Sequence, residues 1–281
     1  LATGDAGLSF SASAMKIRER MWAPINAEQK PAAMDEELSL PPAFKACALP
    51  PDADPSAEGA AAARREDATG FLFYAERPDI LEATLVLAPE GTLRASLAVA
   101  YPLMQAFGDA LGSVLPPRVA VHYGWPDRIF VNGGLAGALR LEAPTGDPDS
   151  RPEWLLASVA LDIMGGSLAE PGMERDRTSL YGEGVTDVGP RPILEAFARY
   201  FLVWLSRWEE RGLAALESAW IGRVLGYEAA HEFHGPSGAF EARVKTLARD
   251  GNLVLEAAGR RRVLDIGLVL DAAGWREFKR I

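Results

Sequence analysis

The dipeptide Asn132-Gly133 constrains this chain more than any other feature. It separates Arg128-Ile129-Phe130-Val131 from the alternating run Gly134 to Glu142. Asn and Gly both tolerate the positive φ that a two-residue hairpin turn demands, so two antiparallel strands must meet here. Side chains alternate across such strands. Arg140, between Leu139 and Leu141, is therefore expected to face solvent.

The other elements follow from period and punctuation. Residues 38–55 are interrupted by Pro41, Pro42, Pro50, Pro51 and Pro55, and must be extended or irregular. Residues 56–68 are Ala-rich, with Ser56 or Asp54 as N-cap and Gly70 as a stop, which predicts a helix. The apolar runs 71–76 and 83–89 read as buried strands. Leu93, Leu97, Tyr101, Met104, Phe107 and Leu111 recur at helical spacing, predicting one amphipathic helix over 92–114, kinked at Pro102. Strands are expected over 118–125 and 154–163. Ile193, Phe197, Phe201, Trp204, Leu205 and Trp208 share one face of a long helix ending at Gly212, and a short helix follows from Leu213 to Ile221. Beyond this the period changes. Phe240, Ala242 and Val244 alternate with Glu241, Arg243 and Lys245, and turns fall at Asp250-Gly251 and Ala258-Gly259. This order predicts an α+β fold, with a mixed or antiparallel sheet backed by helices over 38–228 and a small β-barrel domain over 229–281. Residues 1–37 show no sustained period and do not begin with Met, and are expected to be an N-terminal extension outside the core.

Several function classes drop out on composition. A net charge of −10 argues against a nucleic-acid partner, because phosphate neutralisation needs a basic face. Arg260-Arg261-Arg262 reads as a solvated strand edge. One cysteine, Cys47, and three histidines, His122, His231 and His234, leave no disulfide framework and no expected metal site. No apolar run is long enough to span a bilayer, so the expectation is a soluble, cytoplasmic protein without a membrane partner.

The sequence also lacks a phosphate-cradling glycine loop and a Gly-x-Ser-x-Gly elbow. His122 reads as a sheet histidine, and Trp204 and Trp208 read as core by their spacing. Trp125-Pro126-Asp127 is the stretch that invites a functional reading. Proline ends the ladder there and leaves an aromatic ring and a carboxylate at a strand end, where sites are often built.

In this register the chain resembles the biotin protein ligases and their lipoate ligase relatives. The family's Lys-Trp-Pro-Asn-Asp run is matched by Gly124-Trp125-Pro126-Asp127-Arg128, with a hairpin one residue shorter. Its Lys-x-x-Gly-Ile-Leu return strand is matched by Gly134-Leu135-Ala136-Gly137-Ala138-Leu139. A later Val-Val-x-Gly-Ile-Gly-Ile-Asn-Val strand corresponds to Leu155 through Ile163, and Arg177-Thr178-Ser179-Leu180 resembles a Thr-Ser-Leu segment. The resemblance covers residues 40 to 281. It implies a ligase-like α+β core with a small C-terminal SH3-like β-barrel. It also implies chemistry that joins biotin or lipoate to AMP and passes the acyl group to a lysine of a carrier domain.

The departures bear on that chemistry. The family folds a Gly-Arg-Gly-Arg-x-Gly loop over the adenylate. Here the corresponding span is short and holds one arginine, Arg77, and no glycine, too little to wrap a nucleotide. The essential lysine falls at Gly134, where no cation meets the charge that develops on a transferring phosphoryl group. Ser158 and Ala160 replace two strand glycines that permit close approach, and Asp162 replaces an asparagine. The expected ligand pocket is lined by Trp125, Pro126, Asp127, Arg128, Gly134, Gly137, Ser158, Ala160, Asp162 and Arg77. No catalytic residue and no metal is assigned. Biotin, lipoate or an adenylate follow only from the resemblance. The expected function is a ligase-like protein that binds a small carboxylate or a carrier-protein partner, with ordinary ATP-dependent biotinylation lost or altered. Two alternatives stay open: an active ligase in which Arg77, Arg128 or Arg140 meets the phosphate, and a non-enzymatic interaction protein.

Overall fold

The computed structural model describes residues 38–65, 67–165, 176–235 and 238–279; the predicted extension 1–37 lies outside them. The hairpin forms where Asn132-Gly133 requires it. Both residues take positive φ, 48° and 92°, and join β5 (Arg128–Val131) to β6 (Gly134–Glu142). From β6 the sheet grows antiparallel through β7 (Leu155–Asp162), β3 (Ile80–Leu87) and β2 (Phe71–Ala75). β1 (Lys45–Leu49) pairs parallel with β2 at one edge. It fits between prolines because an edge strand tolerates the missing donors nearby. β4 (Val121–Gly124) closes the other edge, giving a seven-stranded mixed sheet in the order β1-β2-β3-β7-β6-β5-β4.

Helices cover one face. The segment 92–114 is not the single kinked helix that its spacing predicts. It comprises α2 (Leu93–Ser96), a 3-10 turn (Leu97–Val99) and α3 (Ala100–Val114). A helix interior has no place for Pro102, so α3 restarts just ahead of it and holds the proline in its first turn, where N–H groups have no partner anyway. The stripe Ile193, Phe197, Phe201, Trp204, Leu205, Trp208 is buried along α4 (Pro190–Arg211) as its period predicts, and α5 (Ala214–Ile221) follows. α3 and α4 pack together over Leu81, Leu85, Leu139, Val159 and Leu161 in the main core. Asp109 ties these helices to the β4 edge. It accepts from Trp204 Nε1 at 2.7 Å and from Arg223 Nη1 at 2.6 Å, and Arg223 also reaches the Tyr123 hydroxyl at 3.0 Å.

The C-terminal residues form a second, antiparallel sheet from β8 (His231–Gly235), β9 (Gly238–Leu247), β10 (Leu253–Ala257) and β11 (Arg260–Leu264). Among the described residues its order, β11-β10-β9-β8, stays open and does not close into a barrel. The sheet is tied to the first by Tyr101, whose hydroxyl donates to the Gly251 carbonyl at 2.7 Å. Residues after β11 turn through a 3-10 segment (Ile266–Asp271) into α6 (Ala273–Phe278), which lies back on β6. No helix among the described residues is long and apolar enough to cross a membrane.

Candidate functional site

The face of the first sheet opposite α3 and α4 is built differently. Alternation sends Leu81, Ala83 and Leu85 of β3 into the helix-covered core and turns Ile80, Glu82 and Thr84 the other way. On β7 the same rule turns Ser158, Ala160 and Asp162 outward from that core, and on β6 it turns Ala138 and Arg140. Register aligns them into rungs across three strands. Thr84, Ser158 and Arg140 make one rung, and Glu82, Ala160 and Ala138 make the next.

Two elements cover this face. α1 (Pro55–Arg65) packs over β2, β3 and β7, with Asp54 capping it through the Ser56 amide at 2.8 Å. α6 covers the β6 side. Between them lies a cavity of about 300 Å³, walled by the 51–54 loop and Ser56 on one side, Thr84 and Arg140 on its floor, and Arg77, Trp275 and Lys279 around its rim.

The basic side chains around the cavity are paired. Arg77 binds Asp79 through two contacts, Nε at 3.0 Å and Nη2 at 2.6 Å, and this pairing holds the Asp79 carboxyl below its usual range. Arg140 forms an ion pair with Glu142, which also accepts from the Ser56 hydroxyl, and its guanidinium stacks 5.7 Å from the Trp275 ring centre. Lys279 pairs with Glu82. Beneath them the Thr84 and Ser158 hydroxyls are hydrogen-bonded at 2.8 Å and buried. Arg140 is thus not the solvated residue that simple alternation predicts. Its strand has two covered faces, so pointing away from the core puts it into the cavity wall.

The predicted pocket residues divide. Arg77 lines the cavity, Ser158 lies under it beside Thr84, and Ala160 is buried beneath Phe278 with Ile80 and Ala138. Asp162 sits one rung further, its Oδ1 accepting from the Gly165 amide at 2.6 Å, and burial pushes its carboxyl above the usual range. Trp125 points into the helix-covered core, where its Nε1 donates to Tyr101 at 3.1 Å; its bond to Pro126 is cis. Asp127 is fully buried and takes the Gly274 and Trp275 amides of α6 at 2.8 and 3.3 Å. Its Oδ1, 3.8 Å from Arg128 Nη1, has no hydrogen-bond partner, and burial raises its carboxyl to about 6. Arg128 pairs with Glu277 at 2.6 Å.

The glycines are tightly enclosed. A Cβ on Gly137 would stand 2.4 Å from the Ala160 carbonyl oxygen, so β6 and β7 approach as closely as they do only because nothing is there. A Cβ on Gly134 would meet Thr178 Cβ at 2.8 Å, and one on Gly124 would meet the Phe130 ring at 2.6 Å. Among the described residues no group of three or more His, Cys, Asp or Glu side chains could hold a metal ion.

A mixed sheet with a helix-packed face, an opposite face bearing a cavity, and a small C-terminal sheet form a recognisable combination. The biotin/lipoate A/B protein ligase family model matches residues 40–222. The chain belongs to that family. A biotin–[acetyl-CoA-carboxylase] ligase from Paracoccus denitrificans is 26% identical over 191 residues, which is 64% of this chain and 75% of the relative. Among solved structures, a biotin protein ligase-like protein of unknown function from Silicibacter sp. TM1040 is similar with a TM-score of 0.73 and 31% identity, over 83% of this chain and 99% of that one. The apo biotin protein ligase of Aquifex aeolicus shares the fold, with a TM-score of 0.62 and 14% identity over 80% and 96% of the two chains.

Within this family, the residues that sequence reasoning missed are those of α6, together with Glu82 and Arg177. Arg177 donates to the backbone carbonyls of Glu277 and Phe278 at 3.0 and 2.5 Å. Ala273 to Lys279 carry no period long enough to announce a helix, and no local signal tells that they return to β6.

Proposed function

We propose that this protein is a biotin/lipoate ligase-like binder of a small carboxylate or of a carrier domain, in which ordinary ATP-dependent biotinylation is lost or altered. The observation that carries the reading is at Gly134. Resemblance assigns the family's lysine to this position, and Thr178 fills the space in which any side chain there would begin. The span that would fold over an adenylate is here the short 76–79 turn between β2 and β3, and its arginine, Arg77, is committed to Asp79. A transferring phosphoryl group in such a site would lack the fixed cation that usually supplies much of the rate. On this reading, residues 38–228 are the ligase-like unit and 229–281 correspond to the family's SH3-like module. The pocket is the face bearing Ser158, Ala160 and Asp162, with Arg128 and Asp127 at its margin.

One observation favours a second reading, an active ligase with a remodelled site. Arg140 stands in the cavity wall, and a guanidinium can take over phosphate binding if its pairing with Glu142 is exchanged. Calorimetry with ATP, biotin and lipoate, alongside a pyrophosphate-release assay, separates the two. Binding of a carboxylate without nucleotide heat and without pyrophosphate supports loss of adenylation. Tight ATP binding with pyrophosphate release overturns it.

A further inference from the structure

The segment 272–279 meets the site face at point after point. Gly274 and Trp275 donate their amides to Asp127, Glu277 binds Arg128, and Arg177 binds the last two carbonyls of α6. Trp275 lies over Arg140, and Lys279 reaches Glu82. Phe278 is 1% exposed and closes over Ile80, Ala138 and Ala160. The guanidinium groups of Arg128, Arg140 and Arg177 are thus all engaged by one short piece of chain, and the small-residue floor beside the cavity is filled by one ring.

We propose that residues 272–279 are a strap, an internal occupant of the site that lifts as a unit and must be displaced before a ligand can use the face it covers. The inference rests on the reading of this face as the binding site.

Three features make the segment separable from the sheet it covers. A helix of six residues cannot sustain itself without its docking contacts. Those contacts include no strand pairing, and their ion pairs have partly exposed ends, with Glu277 49% and Lys279 41% exposed, which makes each one weak. The approach to α6 passes through Ala272 at φ 47°, a left-handed conformation that an alanine relinquishes readily. Lifting the strap would join the cavity to the floor at Ala138 and Ala160, release Arg128 from Glu277, take the strap's last two carbonyls from Arg177, and uncover Arg140 beside its partner Glu142. Phe278 on an apolar floor and Glu277 on an arginine also show what the opened face suits: a carboxylate carrying an apolar portion.

Hydrogen exchange on the whole, unmodified chain tests the strap directly. The Gly274 and Trp275 amides should exchange about 100-fold or more faster than the Leu139 and Val159 amides of β6 and β7, as expected for local opening below global unfolding. Equal protection of the two sets overturns the strap, whatever any ligand does. Calorimetry with octanoate and biotin then compares the wild type with Phe278→Ala, with circular dichroism confirming that the variant is folded. Affinity should rise about tenfold or more in the variant, because a ligand no longer competes with a mostly closed state. Equal, measurable affinity in both proteins overturns the occlusion. No heat from either protein, with fast strap exchange, refutes the reading of the face as a carboxylate site and upholds the strap as an independently opening element.

Discussion

The two faces of the seven-stranded sheet share the same strands and are finished by opposite means. On the side of α3 and α4 the cover is apolar and interlocked: Phe197 stacks with Phe201 and meets Phe107 edge to face, all essentially inaccessible. On the other side the cover is partly charged. Arg77, Arg128, Arg140 and Lys279 each pair with an acid, a cavity remains, and a six-residue helix fills part of what a sheet face leaves open. The first arrangement gives stability through area and close packing. Around the cavity, the second rests on partly exposed ion pairs, each of which contributes little and can be exchanged for a ligand. The division of labour between fold and site runs through the thickness of one sheet.

The two faces should respond differently to substitution. Phe197→Ala should lose about 3–5 kcal/mol, as a cavity in a well-packed core does, read as a drop in the urea midpoint. A second, smaller effect belongs to the opposite face and depends on pH. Burial raises the Asp127 carboxyl to about 6 from its ordinary value of about 3.9. The folded chain therefore holds that proton more tightly than the unfolded chain. The contribution is full below about pH 4 and is lost as the pH rises through about 6, a change of about 3 kcal/mol. The difference in unfolding free energy between wild type and Asp127→Asn, measured from pH 4 to 7, should show that slope; a flat difference would mean that the carboxyl is better solvated than its burial implies.

Gly134→Lys probes the site itself. Because its Cβ would press on Thr178, the substitution should destabilise by about 1–3 kcal/mol, the usual cost of overpacking, and should not by itself produce pyrophosphate release. Gain of adenylation on this single change would show that the site is otherwise intact. The smallest effect is expected for Arg140→Ala. Its ion pair with Glu142 is partly exposed, so stability should change by about 1 kcal/mol or less, while any carboxylate affinity detected calorimetrically should fall.

Much of the helix-covered face was legible in advance. The stripe from Ile193 to Trp208 specified both the helix and the side it buries, and Asn132-Gly133 specified the hairpin and its turn. The error at 92–114 was one of continuity, since the apolar spacing runs on through a place where Pro102 forces the helix to restart. The site was less legible. Gly134, Ser158, Ala160 and Asp162 were identified by resemblance, but nothing in their own segments told which neighbours close on them. Arg140 was misplaced because alternation states that a residue leaves the core, not what it meets on the other side.

Periods, turns and the residues that a ligase-like register brings into correspondence can be read along the chain. Those are local properties, written within a few residues by φ preference and by the alternation of apolar side chains. That Thr178 fills the space beside Gly134, that Asp127 receives the amides of Gly274 and Trp275, and that Phe278 closes over Ala160 follows from the folded arrangement alone. Each of these contacts joins residues distant in the chain. Its geometry is fixed by how the whole sheet twists and packs, which no short stretch of sequence encodes.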